Sequence, residues 1–192
     1  MSSIYFGGSR HLKKSNLMWQ VVQACIEQGH YIHVGCQYGA DKIAISAALM
    51  SEHGASSLVV FAVAGSWRTA PEHVRFALNC EAHVIFSAGS QSAPMPARFL
   101  LRSIAAFQGC SSAVFFSPGF GSLAVARECV RSGLPVFAFV EQPAPIPSVG
   151  GQWVASSFQS LPCWLWQSAQ LSFWSLSAGC SRSQKKGVSI CQ

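Results

Sequence analysis

Along the first 140 residues, short apolar runs alternate with segments of helical period. Ile4-Tyr5-Phe6 and residues 31–34, 58–63, 82–86, 113–116 and 136–140 read as strands. The unbroken, β-branched run at 58–63 suits a strand covered on both faces, as in a parallel sheet. Between these runs, Ser15 is placed to cap a helix over residues 15–28, with Leu17, Val21, Ala24 and Cys25 on its apolar side and Gly29 as its stop. Residues 40–52 carry the stripe Ile43, Ala44, Ala47, Ala48, with Gly54 as terminator. Further helices are predicted over 71–80, over 98–107 (Leu100, Ile104 and Phe107 on one side), and up to Gly133. Alternation of this kind predicts an α/β, Rossmann-like, doubly wound and mostly parallel sheet with helices on both faces and right-handed crossovers.

Glycine marks three of the strand ends. Gly7-Gly8-Ser9-Arg10 follows the first strand, Gly35 to Asp41 (GCQYGAD) the second, and Ser117-Pro118-Gly119-Phe120-Gly121-Ser122 the fifth. A glycine-rich turn that opens a helix exposes backbone N–H groups where the helix dipole adds partial positive charge, which suits phosphate. One Gly-x-Gly is weak evidence, since glycine also serves ordinary turns. Three at the carboxyl ends of strands are stronger, because open α/β sheets bind ligands at that edge. Residues 88–94 form a Ser/Gly/Pro loop long enough for a lid or specificity loop.

Composition narrows the class. Half of the 192 residues are apolar and a tenth charged, which excludes a disordered chain. No apolar stretch approaches the roughly 20 residues of a membrane helix, and no basic n-region with an apolar h-region opens the chain, so a cytoplasmic protein without a membrane partner is expected. The eight cysteines are scattered, and Cys25, Cys80 and Cys129 fall in predicted core elements, where they read as small hydrophobes. A formal charge of +6 favours an anionic partner. Asp41 is the only aspartate. Residues 1–141 read as one nucleotide-binding domain. Residues 142–192, without an acid and rich in Trp and Ser, read as an extension, partly disordered, that ends in a basic tail with Arg182, Lys185 and Lys186. Its Trp153, Trp164, Trp166 and Trp174 suit cover for a sheet face or an interface with a second copy, giving a homodimer.

The ordered triplet of turns, with Lys42-Ile43-Ala44 after the second, resembles the SLOG superfamily. These Rossmann-like domains include the DNA-processing protein DprA/Smf, the "lonely guy" phosphoribohydrolases and small YspA-like sensors. The resemblance covers about residues 1–140. It implies that the turns at Gly7, Gly8, Ser9, Arg10 and at Ser117, Pro118, Gly119, Phe120, Gly121, Ser122 hold a nucleotide phosphate. It likens Gly35, Gly39, Ala40 and Asp41 to the GGxxGAD turn of the YspA-like members, with Cys36 at the usual second glycine. Asp41 is then placed to cap the second helix or to bind a ribose hydroxyl. Arg98 and Arg102 precede the fifth strand as arginines do in the hydrolases and in DprA, where a guanidinium fork suits phosphate; a solvated helix face is the plainer reading. Trp67 and Arg68 are placed to flank a base.

The resemblance has one gap. The phosphoribohydrolases carry a catalytic glutamate where this chain has Val125, and Glu128, three residues on, is a weak substitute. Cleavage of an N-glycosidic bond needs a carboxylate near the anomeric carbon. The expectation is therefore binding of a nucleotide or nucleotide-derived ligand with no required cofactor. Single-stranded DNA binding and hydrolysis of nucleoside monophosphates remain as alternatives. His30, His33 and Cys36, or Cys80 and His83, have ligand-like spacing, but residues three apart on a strand face opposite ways, so no metal site is assigned.

Overall fold

In a computed structural model, residues 1–87 and 92–169 are described. The six predicted strands form β1 (Ser3–Gly8), β2 (Tyr31–Val34), β3 (Leu58–Ala62), β4 (His83–Phe86), β5 (Ser112–Phe116) and β6 (Val136–Phe139). All pair in parallel. Helices α1 (Asn16–Glu27), α2 (Ala40–Leu49), α3 (Gly54–Ser57), α4 (Glu72–Asn79), α5 (Met95–Phe107) and α6 (Phe120–Arg131) connect them. Two further strands, β7 (Gly151–Phe158) and β8 (Leu161–Ser168), close the element list, and the sheet order is β4-β3-β2-β1-β5-β6-β8-β7. The chain winds outward from β1 to β4, then crosses back to β5. The boundary between β1 and β5 is thus the point where winding direction reverses, the usual place for a ligand crevice in an open α/β sheet.

Side chains alternate along each strand between two cores. Phe6, Ile32, Val34, Val60 and Phe116 face α1, α2 and α4. Tyr5, Phe61, Ala113 and Phe115 face α5 and α6 with Phe107 and Leu123. Burial of each such large side chain contributes about 1.5–3 kcal/mol.

Local details depart from the expected pattern. The buried face of α1 is Met18, Val21, Val22, Cys25 and Ile26, and Leu17 is 38% exposed, so the stripe is rotated from the one expected. Helix α2 ends at Leu49, and Gly54 opens α3 instead of terminating α2; a Cβ at Gly54 would overlap the Ala48 carbonyl. Helix α5 begins three residues early, at Met95, with Pro96 in its first turn, where a missing N–H costs nothing.

Beyond Glu141, residues 151–168 form an antiparallel hairpin whose second strand pairs with β6 at Phe137↔Leu165 and Ala138↔Trp164. The tryptophans have defined partners. Trp153 stands opposite Trp166 with ring centroids 5.2 Å apart, edge to face, and its Nε1 donates to the Ala144 carbonyl. Trp164 Nε1 donates to Val140 O. Trp174, the basic tail and most of the loop at 88–94 lie outside the described residues. No helix among the described residues is long and apolar enough to cross a membrane.

Candidate phosphate-binding rim

The three glycine turns meet at the carboxyl end of β1. Ser9 N donates to Phe116 O at 3.1 Å, tying the first turn to the end of β5. Ser122 Oγ donates to Gly8 O at 2.6 Å, and Ala40 N donates to Ser9 O at 3.0 Å, which brings in the third and second turns. Glycine is needed where these backbones touch. A Cβ on Gly8 would overlap the Phe116 carbonyl. One on Gly39, at φ 82°, would overlap the backbone of Ser9 and Arg10.

Gly119 and Gly121 differ from these. A Cβ at either would meet nothing within 4 Å, although Gly119 is the N-cap of α6 and Gly121 lies in its first turn. No side chain caps this helix. Its first intrahelical bond runs from Leu123 N to Gly119 O, so the N–H groups of Phe120, Gly121 and Ser122 lie ahead of the hydrogen-bonded ladder. Phe120 is 89% exposed. Ser117 takes a left-handed φ of 44° and donates its N–H to Phe139 O, turning the chain sharply out of β5 before Pro118. Arg10, Lys13 and Lys14, all exposed, follow the first turn. The two lysines were not singled out from sequence, although their neighbouring positions just after a glycine turn are visible there.

Asp41 and Arg102 sit below this rim. Arg102 Nη1 lies 3.4 Å from Asp41 Oδ2, with the side chains 4% and 10% exposed, and the same oxygen accepts the Gln37 N–H at 3.0 Å. A Cβ on Gly35 would occupy the place of this pair, so a glycine at the end of β2 lets α5 reach α2 across the sheet edge. Burial disfavours the Arg102 charge, but Asp41, Tyr5 and Cys36 around it together outweigh that and hold its pKa above the ordinary value. Burial also drives the Tyr5 phenol upward, against the pull of Arg102. Asp41 makes no side-chain cap bond to α2, and its Oδ2 is engaged by Arg102 and Gln37. Arg98 is half-buried one turn earlier on α5, with Nη1 3.4 Å from Met95 Sδ.

Glu128 is eight residues into α6, about 12 Å along the axis from Phe120 at 1.5 Å per residue. Its Oε1 accepts from Arg127 Nε at 2.8 Å and Arg131 Nη1 at 3.3 Å. Val125, at the position of the family glutamate, is buried. Neither brings a carboxylate to the glycine turns. Of the residues with ligand-like spacing, His30 Nδ1 is bonded to Ser2 and His33 Nδ1 to Ala106 O, and Cys36 Sγ accepts from Val63 N.

Trp67 and Arg68 stand on a short 3-10 turn after β3, with the Arg68 guanidinium 5.7 Å from the Trp67 ring centroid. They are separated from the first and third turns by β2. Trp67 lines, instead, a cleft of about 530 Å³ with Tyr38, Lys42, His73 and Phe76.

No protein-family model matches the sequence, and no curated protein matches it. Solved structures do. The fold is that of DNA processing protein A. The Helicobacter pylori protein, described by its single-stranded DNA binding mode, superposes with a TM-score of 0.57 at 14% identity over 73% of this chain and 66% of its own. The DprA of Streptococcus pneumoniae gives 0.57 at 21% identity over 77% and 52%. TM1055 gives 0.52 at 12% identity over 71% of this chain and 72% of its own. The chain spans about two thirds and about half of the two DprA chains.

Proposed function

We propose that this protein binds single-stranded nucleic acid, with the sugar-phosphate backbone held on the rim made by the three glycine turns. The observation that carries the reading is the pair of open glycines, Gly119 and Gly121, on an uncapped helix end at the winding reversal of the sheet. Phosphate oxygens accept the N–H groups of Phe120 to Ser122, in the field of the helix dipole. Arg10, Lys13 and Lys14 supply charge on one side. A strand is favoured over a free nucleotide by exposure: pockets for small ligands bury most of the ligand surface, whereas the rim presents Phe120 nearly fully exposed, with Tyr38 61% exposed beside the second turn. Exposed rings beside a basic groove are the means of sequence-tolerant stacking on unpaired bases. The fold shared with the Helicobacter protein, whose description names single-stranded DNA binding, supports the same choice. Glycosidic cleavage does not enter the proposal, since Glu128 is held by two arginines away from the turns.

Anisotropy of fluorescein-labelled oligothymidylates tests it. Affinity is expected to rise with oligomer length and to fall steeply with salt, with a log–log slope of about −0.7 per phosphate engaged. Gly121→Asp places a negative charge in open space at the helix end and is expected to weaken binding at least about 10-fold, roughly 1.4 kcal/mol. Indifference to Gly121→Asp would remove the rim from the site. AMP binding as tight as that of a long oligomer would reassign the rim to a free nucleotide.

A further inference from the structure

The cleft of about 530 Å³ between α2 and α4 is not used by the phosphate contacts described above, and its lining is unusual for a surface helix pair. It carries three large aromatic side chains that are mostly in water: Tyr38 at 61%, Phe76 at 59% and Trp67 at 54% exposure. Lys42 Nζ lies 6.0 Å from the Tyr38 ring centroid, and Arg68 covers the Trp67 ring. Arg75 lines the cleft as well, against one acid, Glu72. At its base His73 is 6% exposed. His73 Nε2 donates to Cys36 O at 3.1 Å, so in the neutral ring Nδ1 is the acceptor, buried and without a hydrogen-bond partner among the described residues. The Tyr38 ring lies over it at 5.3 Å, edge to face. Tyr38 also adjoins Gly39, whose backbone touches Ser9 and Arg10, so the mouth of the cleft and the glycine rim share one turn.

We propose that this cleft receives a nucleobase of the same strand whose phosphates lie on the glycine rim, stacked on Tyr38 and Phe76 and flanked by Trp67. The inference rests on the rim reading and adds a second element to it. Aromatic faces meet the base, and Lys42 and Arg75 meet the adjoining phosphates. Stacking on exposed rings needs no particular base, so the cleft sets the length of strand bound and not its sequence.

Photocrosslinking with an oligonucleotide containing 5-iodouracil, followed by peptide mapping, is the direct test. Oligothymidylate affinities of Tyr38→Ala/Phe76→Ala and of Gly121→Asp are measured beside it. The expected result is a crosslink at Tyr38, Trp67 or Phe76 that disappears in Gly121→Asp, and an affinity loss of about 5- to 150-fold in the double variant for oligomers long enough to span rim and cleft. Tyr38→Phe/Phe76→Tyr, which keeps both rings, is expected to restore binding, and both side chains are exposed enough for their loss to leave the melting temperature in place. If the double variant binds like wild type and no crosslink maps to the cleft, while Gly121→Asp still weakens binding, the cleft proposal falls and the rim stands. If Gly121→Asp is inert and the double variant alone loses binding, the shared-strand proposal and the rim reading fall together.

Discussion

Two sets of glycines at the same sheet edge have opposite surroundings. At Gly8, Gly35 and Gly39 the space of a side chain is already taken, by the Phe116 carbonyl, by the Arg102–Asp41 pair and by the Ser9–Arg10 backbone respectively. At Gly119 and Gly121 it is empty. The first set lets backbones and a buried ion pair pack; the second leaves amides of a helix end accessible. Identical letters in one motif therefore divide into those that build the site and those that leave room for what binds there.

Substitution separates the two sets. The largest effect is expected for Gly35→Ala, whose Cβ displaces the Arg102 guanidinium. Separating a buried pair costs about 3–5 kcal/mol, read as a fall in the denaturation midpoint. Arg102→Ala is expected to be similarly harmful alone, and the two together far less than their sum, since both break one interaction. Full additivity would show that Gly35 serves some other purpose. Gly39→Ala comes next, at about 2–4 kcal/mol, because a left-handed φ costs roughly 1–2 kcal/mol for alanine and a backbone overlap is added. By contrast, Gly121→Asp is expected to stabilise the fold by about 0.3–1 kcal/mol from the helix dipole, and more from the glycine replaced, read as a slightly raised melting temperature, even as it weakens nucleic acid binding. A joint loss of stability and affinity would place Gly121 in the first set.

The smallest effect concerns acid. Burial lowers the pKa of both His33 and His73 below the usual 6.5, opposed in each by a backbone carbonyl. The unfolded chain then binds protons that the folded chain refuses, so stability contributed by these rings is full above about pH 6.5 and declines as pH falls below it, until the folded-state values are passed. Chemical denaturation at pH 7.5 and 5.5 in wild type and His73→Gln is the check. An unchanged pH slope in the variant would mean that His73 titrates normally.

Much of the frame is legible without coordinates. Six strands announce themselves as short apolar runs, of which only 58–63 is strongly β-branched, and three strand-end turns lead directly to the winding reversal. The hairpin is not legible. Its apolar residues are interrupted by Ser156, Ser157 and Pro162, and its tryptophans meet across strands instead of along one period. Nor is the fate of Arg102 legible: a guanidinium four residues after Arg98 reads as a second phosphate ligand until the gap at Gly35 shows where it goes. The cleft escapes for a related reason, because exposure of Tyr38 and Phe76 depends on how α2 and α4 lean together.

The bond between Arg102 and Asp41 fastens the helical layers of opposite sides to each other around the end of β2. In most sheets of this type the layers communicate only through the strands between them. Here the first turn of α2, the loop at Gln37 and α5 are held together by one carboxylate.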